Sequence, residues 1–422
     1  MNKANRSVGS VARDAFHIED IYPSVDGGRF AVKRVVGEPV DVWADIFRDG
    51  HDVIAAALIW RREQDAEWQR VPMRLDSNDR WTASFTPRHI GRHVYAIEAW
   101  TDEFATWRHG FELKQAAGQD VALDALEGAA LLTKAQSGGA DAAAVILRHC
   151  ERFLQTGDAD SLLAPELQDA MAVSQDRLDT TRSAALPLTV DRPLARYGAW
   201  YEMVPRHGTF RDCLERLPES AAMGFDVLYF TPIHPIGSIH RKGRNNSLTA
   251  APGDPGSPYA IGSEDGGHDA VHPELGTLDD FEALVTTARR LNIEIALDIA
   301  VQCSPDHPWL REHPQWFKRR PDGSMRYAEN PPKKYEDIVN PDFTCDDAGS
   351  LWNALRDVVL FWLDHGVRVF RIDNPHTKPL PFWEWVIHEV QTRDPGGIFL
   401  AEAFTRPKLM KGLAKRGFTQ SY

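Results

Sequence analysis

The chain has 422 residues, of which 43% are hydrophobic and 26% charged, with a formal net charge of −13. This composition is globular, and the length predicts two or three domains. The acidic balance argues against a nucleic-acid binder that works by phosphate neutralisation, and no apolar run is long enough to span a membrane. Met1 to Asp20 is polar, without a signal-peptide apolar core. The four cysteines are widely spaced, which is expected for free thiols in a cytoplasmic protein.

Residues 17–115 show the polar and apolar alternation of short β-strands. Runs such as Val40 to Phe47 and His93 to Trp100 have strand length, and turn signals rich in Gly, Asp and Asn separate them. The pattern predicts an N-terminal antiparallel β-sandwich of the immunoglobulin-like type. The segment has no cluster of acids, histidines or cysteines that would make it catalytic.

Over residues 116–185 the apolar residues recur with the period of an α-helix. Ile146 and Cys150 lie on one face of a predicted helix, for example. The segment is therefore predicted to be a helical insert domain. Pro187 and Pro193 predict a linker after it.

Strand and helix patterns alternate over residues 195–422. Five strands are predicted in the segments 198–203, 226–231, 293–300, 366–375 and 398–402. This alternation predicts a catalytic (β/α)8 TIM barrel of which only the first five strands are present, because eight strands are needed for closure. The sequence thus predicts a fragment or a truncated gene product in a multidomain architecture.

Carboxylates end the last two predicted strands. Asp373 follows Val-Arg-Val-Phe-Arg-Ile, and Glu402 follows Ile-Phe-Leu-Ala. Arg371 is two residues from Asp373, so both side chains point to one side of a strand, where the arginine would hold the acid ionised. Parallel strands end at one rim, and a carboxylate pair is what retaining glycoside chemistry needs. The alternative is that both acids are ordinary strand-end residues.

Two long loops interrupt this pattern. The loop 232–277 carries the basic group Arg241, Lys242 and Arg244, which is either a solvated charged loop or a site for an anionic group such as phosphate. A second insertion spans about 303–345.

Several motifs resemble a known family. Phe370-Arg-Ile-Asp-Asn and Leu400-Ala-Glu-Ala-Phe resemble the nucleophile and acid/base motifs of the alpha-amylase superfamily, glycoside hydrolase family 13. Lys242-Gly-Arg-Asn-Asn and Glu329-Asn-Pro-Pro-Lys-Lys-Tyr narrow the resemblance to the bacterial alpha-1,4-glucan:maltose-1-phosphate maltosyltransferases. The insertion at 303–345 is similar to the small B domain that walls the active site in this superfamily.

The resemblance implies roles for particular residues. Asp373 would be the nucleophile, Glu402 the general acid/base, and Arg371 the cation that keeps Asp373 charged. The implied substrate-binding residues are Lys242, Gln302, Asp337 and Asn374, with Asn330 and Tyr335 near the phosphate. The superfamily's usual Asp-x-x-x-Asn-His run begins here at Asp298 but ends in Gln-Cys, so no calcium, other metal or cofactor is expected. A third carboxylate of the family would lie beyond Tyr422.

The implied activity is transfer of maltosyl units from maltose 1-phosphate to the non-reducing ends of alpha-1,4-glucans, as in the synthesis of glycogen-like polymers. It would proceed by retaining double displacement and release phosphate, in a cytoplasmic homodimer. The alternatives are an alpha-glucan hydrolase or isomerase of the same superfamily, or an inactive glucan-binding fragment. The 422-residue chain alone is expected to be inactive or nearly so.

The histidines show no ligand-like spacing, so no zinc site is predicted. His234 and His376 border the predicted site, where they would either bind sugar hydroxyls or have a structural role.

Overall fold

The computed structural model describes residues 16–135, 139–174, 176–177, 179–205 and 208–422. Most of the segment Met1 to Asp20 therefore lies outside the described residues. The chain divides into two compact units, one containing the described residues up to 88 together with 92–189, and the other 89–91 together with 190–422. In the described part, no helix combines the length and the apolarity that crossing a membrane requires.

The first unit begins with eight β-strands. They are β1 Phe16–Tyr22, β2 Val32–Val35, β3 Val40–Arg48, β4 Ile54–Arg62, β5 Gln69–Pro72, β6 Arg74–Ser77, β7 Arg80–Phe85 and β8 Gly91–Thr101. In β3 the buried residues alternate with more exposed ones, from Val40 and Val42 to Ile46. This is the pattern of a strand with one face in a core, as the sequence predicted.

Four helices follow the eight strands. They are α1 Glu103–Ala116, α2 Ala122–Lys134, α3 Ala140–Thr156 and α4 Pro165–Ser174. The helical segment begins at Glu103, earlier than the predicted boundary at 116. The reason is local, because the Asp102 side chain accepts a hydrogen bond from the Ala105 N–H and caps α1.

Two strands after α4 return to the sheets, namely β9 Thr181–Arg182 and β10 Leu186–Asp191. One sheet has the order β1-β3-β7-β6, and the other has the order β2-β10-β8-β4-β5 with β9 paired to β8. Pro187 therefore lies in a strand and not in the predicted linker. Leu186, Leu188 and Val190 alternate on its buried face, a period that Pro187 within the strand and Pro193 after it obscured.

The second unit alternates strands and helices. In chain order it contains β11 Trp200–Met203, α5 Phe210–Ala222, β12 Val227–Phe230, α6 Leu278–Arg290, β13 Glu294–Ala300, α7 Pro308–Glu312, β14 Tyr327–Asn330, β15 Lys333–Val339, α8 Ala348–Asp364, β16 Val369–Asp373, α9 Leu380–Arg393, β17 Ile398–Ala401, α10 Pro407–Lys415 and β18 Gln420–Ser421. The helix α6 illustrates the local signals, since Thr277 and Asp280 form a reciprocal capping box at its start.

The second unit is built on a parallel sheet of order β11-β12-β13-β16-β17-β18. It is an incomplete (β/α)8 barrel, and the five predicted strands are all present. A sixth, β18, was not predicted, because a two-residue strand has no detectable period. The hairpin β14–β15 forms a separate antiparallel ribbon within the 303–345 insertion.

Ala300 is the register partner of Asp373, and Ala401 that of Ile372. Asp373 and Glu402 therefore lie at the same carboxyl edge of the sheet.

A glycine in the first unit gives a test of its helix packing. Gly128 in α2 lies against the indole ring of Trp107 in α1, and a Cβ added there would overlap that ring. The ring cannot easily move, because its Nε1–H donates to the Asp124 carbonyl at 2.7 Å. We expect Gly128→Ala to lower the free energy of unfolding by about 1–3 kcal/mol through overpacking.

Gly110 in α1 is the matched control, because a Cβ added there would meet nothing within 4 Å. Gly110→Ala should raise the free energy of unfolding by roughly 0.5–1 kcal/mol through helix propensity. Urea denaturation of both variants measures the two effects, and a stabilising Gly128→Ala would contradict the packing described.

Candidate active site

Three carboxyl groups surround one guanidinium at the carboxyl edge of the parallel sheet. Arg371 Nη1 lies 2.9 Å from Asp373 Oδ1 and 2.9 Å from Asp298 Oδ2, and Arg371 Nη2 lies 2.7 Å from Glu402 Oε1. The contact between Arg371 and Asp373 is the one that their two-residue spacing predicted. The carboxyl groups of Asp373 and Glu402 thus converge on a single side chain.

Asp298 lies beneath this pair and is fully buried. It is the register partner of Arg371 on the neighbouring strand β13, so their side chains meet on one face of the sheet. The hydroxyls of Tyr229 and Tyr259 donate to Asp298 Oδ2 at 2.6 and 3.0 Å. Asp298 therefore anchors the guanidinium from below.

The surroundings perturb the protonation of several of these groups. Burial and then the hydrogen bond with Asp373 raise the pKa of Glu402, although Arg371 opposes this effect. Burial acts against the charge on Arg371, but Asp298 and the neighbouring phenols raise its pKa well above the usual value. Burial also raises the pKa of Asp298 to about 7, although Arg371 opposes this effect. One positive charge faces three acids, and the raised pKa values of Asp298 and Glu402 favour a proton on this cluster.

Above these acids lies a cleft of about 1100 Å³. The predicted site residues that line it are Lys242, Gln302, Asn330, Tyr335, Asp337, Asp373, Asn374 and Glu402. Arg371, the ninth, is buried at the floor. The hairpin β14–β15 contributes Asn330, Tyr335 and Asp337, so the insertion forms one wall of the cleft. The placement brings the nine residues together, and their individual roles stay predictions.

The basic loop is engaged mainly in internal contacts. Arg241 donates to four backbone carbonyls, and Arg244 pairs with Asp254 at 3.2 Å. Lys242 is buried, with Nζ 3.9 Å from Asp337 Oδ1. The sequence predicted Arg241, Lys242 and Arg244 as a possible site for an anionic group, and of these three residues only Lys242 lines the cleft.

Lys378 is a cleft residue that the sequence analysis missed. It follows β16 and is half-buried, with Nζ donating to Thr377 Oγ1 at 3.0 Å. Burial lowers the pKa of Lys378 to about 8, while Asp373 and Cys303 favour its charged form. Neither hydrophobic periodicity nor a sequence motif indicates that Lys378 is a site residue, because only the fold brings residue 378 to the cleft. Asp298, also missed as a site residue, does carry a sequence signal, because it is an acid with apolar neighbours on both sides in β13.

The histidines divide between the cleft and the core. His376 lines the cleft, whereas His234 is fully buried and is not among the residues that line it, which fits the structural alternative for His234. His268 and His307 lie with Cys303 in a buried cluster that sequence spacing did not indicate.

The hydrogen bonds of this cluster occupy the ring nitrogens of both histidines. His307 Nδ1 accepts from the Trp309 N–H, so its Nε2 donates to His268 Nδ1 at 3.1 Å. His268 Nε2 then donates to the Ala300 carbonyl at 2.9 Å. Burial lowers the pKa of both imidazoles, which fits neutral rings in this chain of hydrogen bonds.

The fold and the site together define a class, a (β/α)-barrel chain with a carboxylate pair at the strand ends below an open cleft. A family model described as alpha-1,4-glucan:maltose-1-phosphate maltosyltransferase, domain N/S, matches residues 14–192. A protein of that name from Cereibacter sphaeroides is 52% identical over 421 residues, covering 96% of this chain and 70% of the relative. The chain belongs to the alpha-1,4-glucan:maltose-1-phosphate maltosyltransferase family.

Other relatives are longer. A protein of the same name from Burkholderia pseudomallei is 54% identical over 431 residues, which cover 98% of this chain but 38% of the relative. The chain thus spans less than half of that relative. An alpha-amylase structure from Lactobacillus plantarum is similar with a TM-score of 0.43 and 30% identity, covering 53% of this chain and 49% of the amylase.

The anchoring of Asp298 gives a stability test. Tyr229→Phe removes a hydroxyl that donates to a buried carboxyl, so we expect the free energy of unfolding to fall by about 1.5–3 kcal/mol, the worth of a hydrogen bond to a charged group. Tyr201→Phe is the control, because the Tyr201 hydroxyl has no hydrogen-bond partner among the described residues. Equal unfolding curves for the two variants in urea would contradict the anchoring role.

Proposed function

We propose that this protein transfers maltosyl units from maltose 1-phosphate to the non-reducing ends of alpha-1,4-glucans and releases phosphate. The observation that carries the proposal is the convergence of Asp373 and Glu402 on Arg371, at the floor of a cleft lined by eight of the nine predicted site residues. Family membership supports the same donor and acceptor, since the relatives carry both in their name. We further propose a role in glycogen-like glucan synthesis, as a cytoplasmic homodimer.

The first step is attack on the donor. Asp373 is the nucleophile. Its Oδ1 accepts from Arg371 Nη1 at 2.9 Å, and its Oδ2 accepts from the Asn374 amide at 3.3 Å. An Asp373 oxygen bonds to the anomeric carbon as the bond from that carbon to the phosphate oxygen breaks, and phosphate leaves with the electron pair. Glu402 supplies a proton to the departing oxygen. The product of this step is a β-maltosyl ester of Asp373.

The second step restores the alpha linkage. The 4-hydroxyl of a glucan end attacks the anomeric carbon, and the bond to Asp373 breaks. Glu402, now ionised, takes the hydroxyl proton as general base. One carboxyl group therefore acts as acid and then as base, which requires a pKa near the working pH. The pKa of Glu402 is raised, which is the direction that this requirement demands.

The competing function is that of an alpha-glucan hydrolase or isomerase, which would use the same acid pair. The cleft favours a phosphorylated donor, because its two lysines, Lys242 and Lys378, supply positive charge beside the acids. A hydrolase that acts on neutral glucans has no anionic group for such cations to bind.

The test uses protein expressed from its complete reading frame, incubated with maltose 1-phosphate and a maltooligosaccharide. We expect phosphate release together with products longer by two glucose units. Asp373→Asn should abolish both, because the variant lacks a nucleophile. Hydrolysis of glycogen without phosphate release from the donor would instead establish the hydrolase.

The protonation of Glu402 gives a prediction on pH dependence. Its pKa is raised, so the acid form persists to higher pH than in an ordinary glutamic acid, and kcat/KM for the donor should fall only as the pH rises through that raised value. Glu402→Gln should lower turnover by roughly 10²–10⁴-fold, the usual contribution of a general acid/base, and should remove this basic limb. If the pH profile of Glu402→Gln still shows the fall in kcat/KM at high pH, that fall belongs to the titration of another group.

A further inference from the structure

A second pocket lies in the 303–345 insertion, next to the cleft. It has a volume of about 500 Å³, and its lining consists of Arg319, Arg320, Pro321, Asp322, Arg326 and Glu329. Of these residues only Glu329 also lines the cleft. Half of the lining is therefore arginine, in a chain whose formal net charge is −13.

A short antiparallel ribbon holds the three arginines in one place. Arg319 and Met325 are bridge partners across it, and Arg326 follows directly. The Gly323 N–H closes the turn between them by donating to the Arg320 carbonyl at 2.9 Å. Gly323 has a φ of 84°, which a residue with a side chain rarely adopts. The backbone is thus ordered before a ligand arrives, so less conformational entropy is lost on binding.

The three guanidinium groups lack acidic partners. None of them has a carboxylate oxygen within 4.0 Å among the described residues. By contrast, the nearby Arg311 pairs with Glu312 at 3.4 Å, and Lys318 pairs with Asp342 at 3.1 Å. The Nε of Arg320 is buried and has no hydrogen-bond partner in the described part of the chain.

The other side chains around the pocket compensate this charge only in part. Asp322 Oδ1 accepts hydrogen bonds from the Ser324 N–H at 3.0 Å and from the Ser324 hydroxyl at 2.7 Å. Glu329 is exposed and is the register partner of Lys334 on β15. The Tyr327 ring lies over the Arg320 guanidinium, with its centroid 4.4 Å from Cζ, and therefore leaves the N–H edges of the guanidinium for a ligand.

We propose that this pocket binds a small polyanion that carries phosphate groups, at a site separate from the cleft. A guanidinium presents paired N–H donors that match two phosphate oxygens. Three unpaired guanidinium groups in one pocket repel one another, and a bound anion reverses the sign of that interaction. Each phosphate group carries about −1.5 to −2 charges near neutral pH, so a compound with more than one phosphate suits three arginines. The inference does not depend on the proposed maltosyl transfer.

The test is isothermal titration of pyrophosphate into protein expressed from its complete reading frame. We expect binding, and Arg320→Gln and Arg326→Gln should each weaken it roughly tenfold, the worth of a hydrogen bond to a charged group. Arg326→Lys, which keeps the charge but loses the paired donors, should bind pyrophosphate more tightly than Arg326→Gln does. Inorganic phosphate and ATP, titrated in the same way, distinguish a single phosphate and a nucleotide from an inorganic polyphosphate as the ligand.

Two control variants place the bound anion. Arg311→Gln removes an arginine of the same insertion that lies outside the pocket and is 78% exposed, and it should leave the affinity for pyrophosphate unchanged. Lys242→Met removes a cation of the cleft and should also leave that affinity unchanged. Absence of pyrophosphate binding, an equal loss with Arg311→Gln, or a loss confined to Lys242→Met would overturn the assignment. Partial unfolding of a variant is recognised separately, because it lowers the number of sites per chain and not their affinity.

Discussion

The charge of Arg371 is the interaction on which the rest of the site depends. Its guanidinium is buried and meets Asp298 from below and Asp373 and Glu402 from the cleft side. Burial disfavours the charge of a cation, and the surrounding carboxyl groups offset this cost. The cation in turn reduces the electrostatic repulsion among these closely spaced acids. The shared cation therefore holds the carboxyl groups of Asp373 and Glu402 close together at the carboxyl edge of the sheet.

The fold supplies this arrangement through strand register. Asp298 and Arg371 are direct partners on adjacent parallel strands, so their side chains lie on the same face without any adjustment of the backbone. Asp373 is two residues further along β16, and Glu402 follows β17 with its N–H donating to the Ile372 carbonyl at 3.1 Å. Regular sheet hydrogen bonds thus hold the acids in place, and the loops above are left to contact substrate.

The sequence predicted most of this site because its signals are local. Asp373 ends the short run Val369–Asp373, and Glu402 directly follows the apolar run Ile398–Ala401. The contact between Arg371 and Asp373 follows from a spacing of two. The contacts that it missed join distant segments. Lys378 is brought to the cleft by a turn, and Asp298 is recognised as a site residue only through Arg371, its partner in register. Arg241, which the sequence predicted as a possible ligand of an anion, donates its hydrogen bonds to carbonyls of its own loop.

The hairpin β14–β15 supplies part of the cleft wall from outside the parallel sheet that carries the acids. It pairs as a ribbon of its own, apart from the parallel sheet, yet it provides Asn330, Tyr335 and Asp337 to one wall of the cleft. Asp373 and Glu402 lie at the edge of the sheet and this wall lies on the ribbon, so the two can diverge independently. Exchange of the ribbon between relatives is a route by which one reaction core could acquire new donor preferences while its acids stay in register.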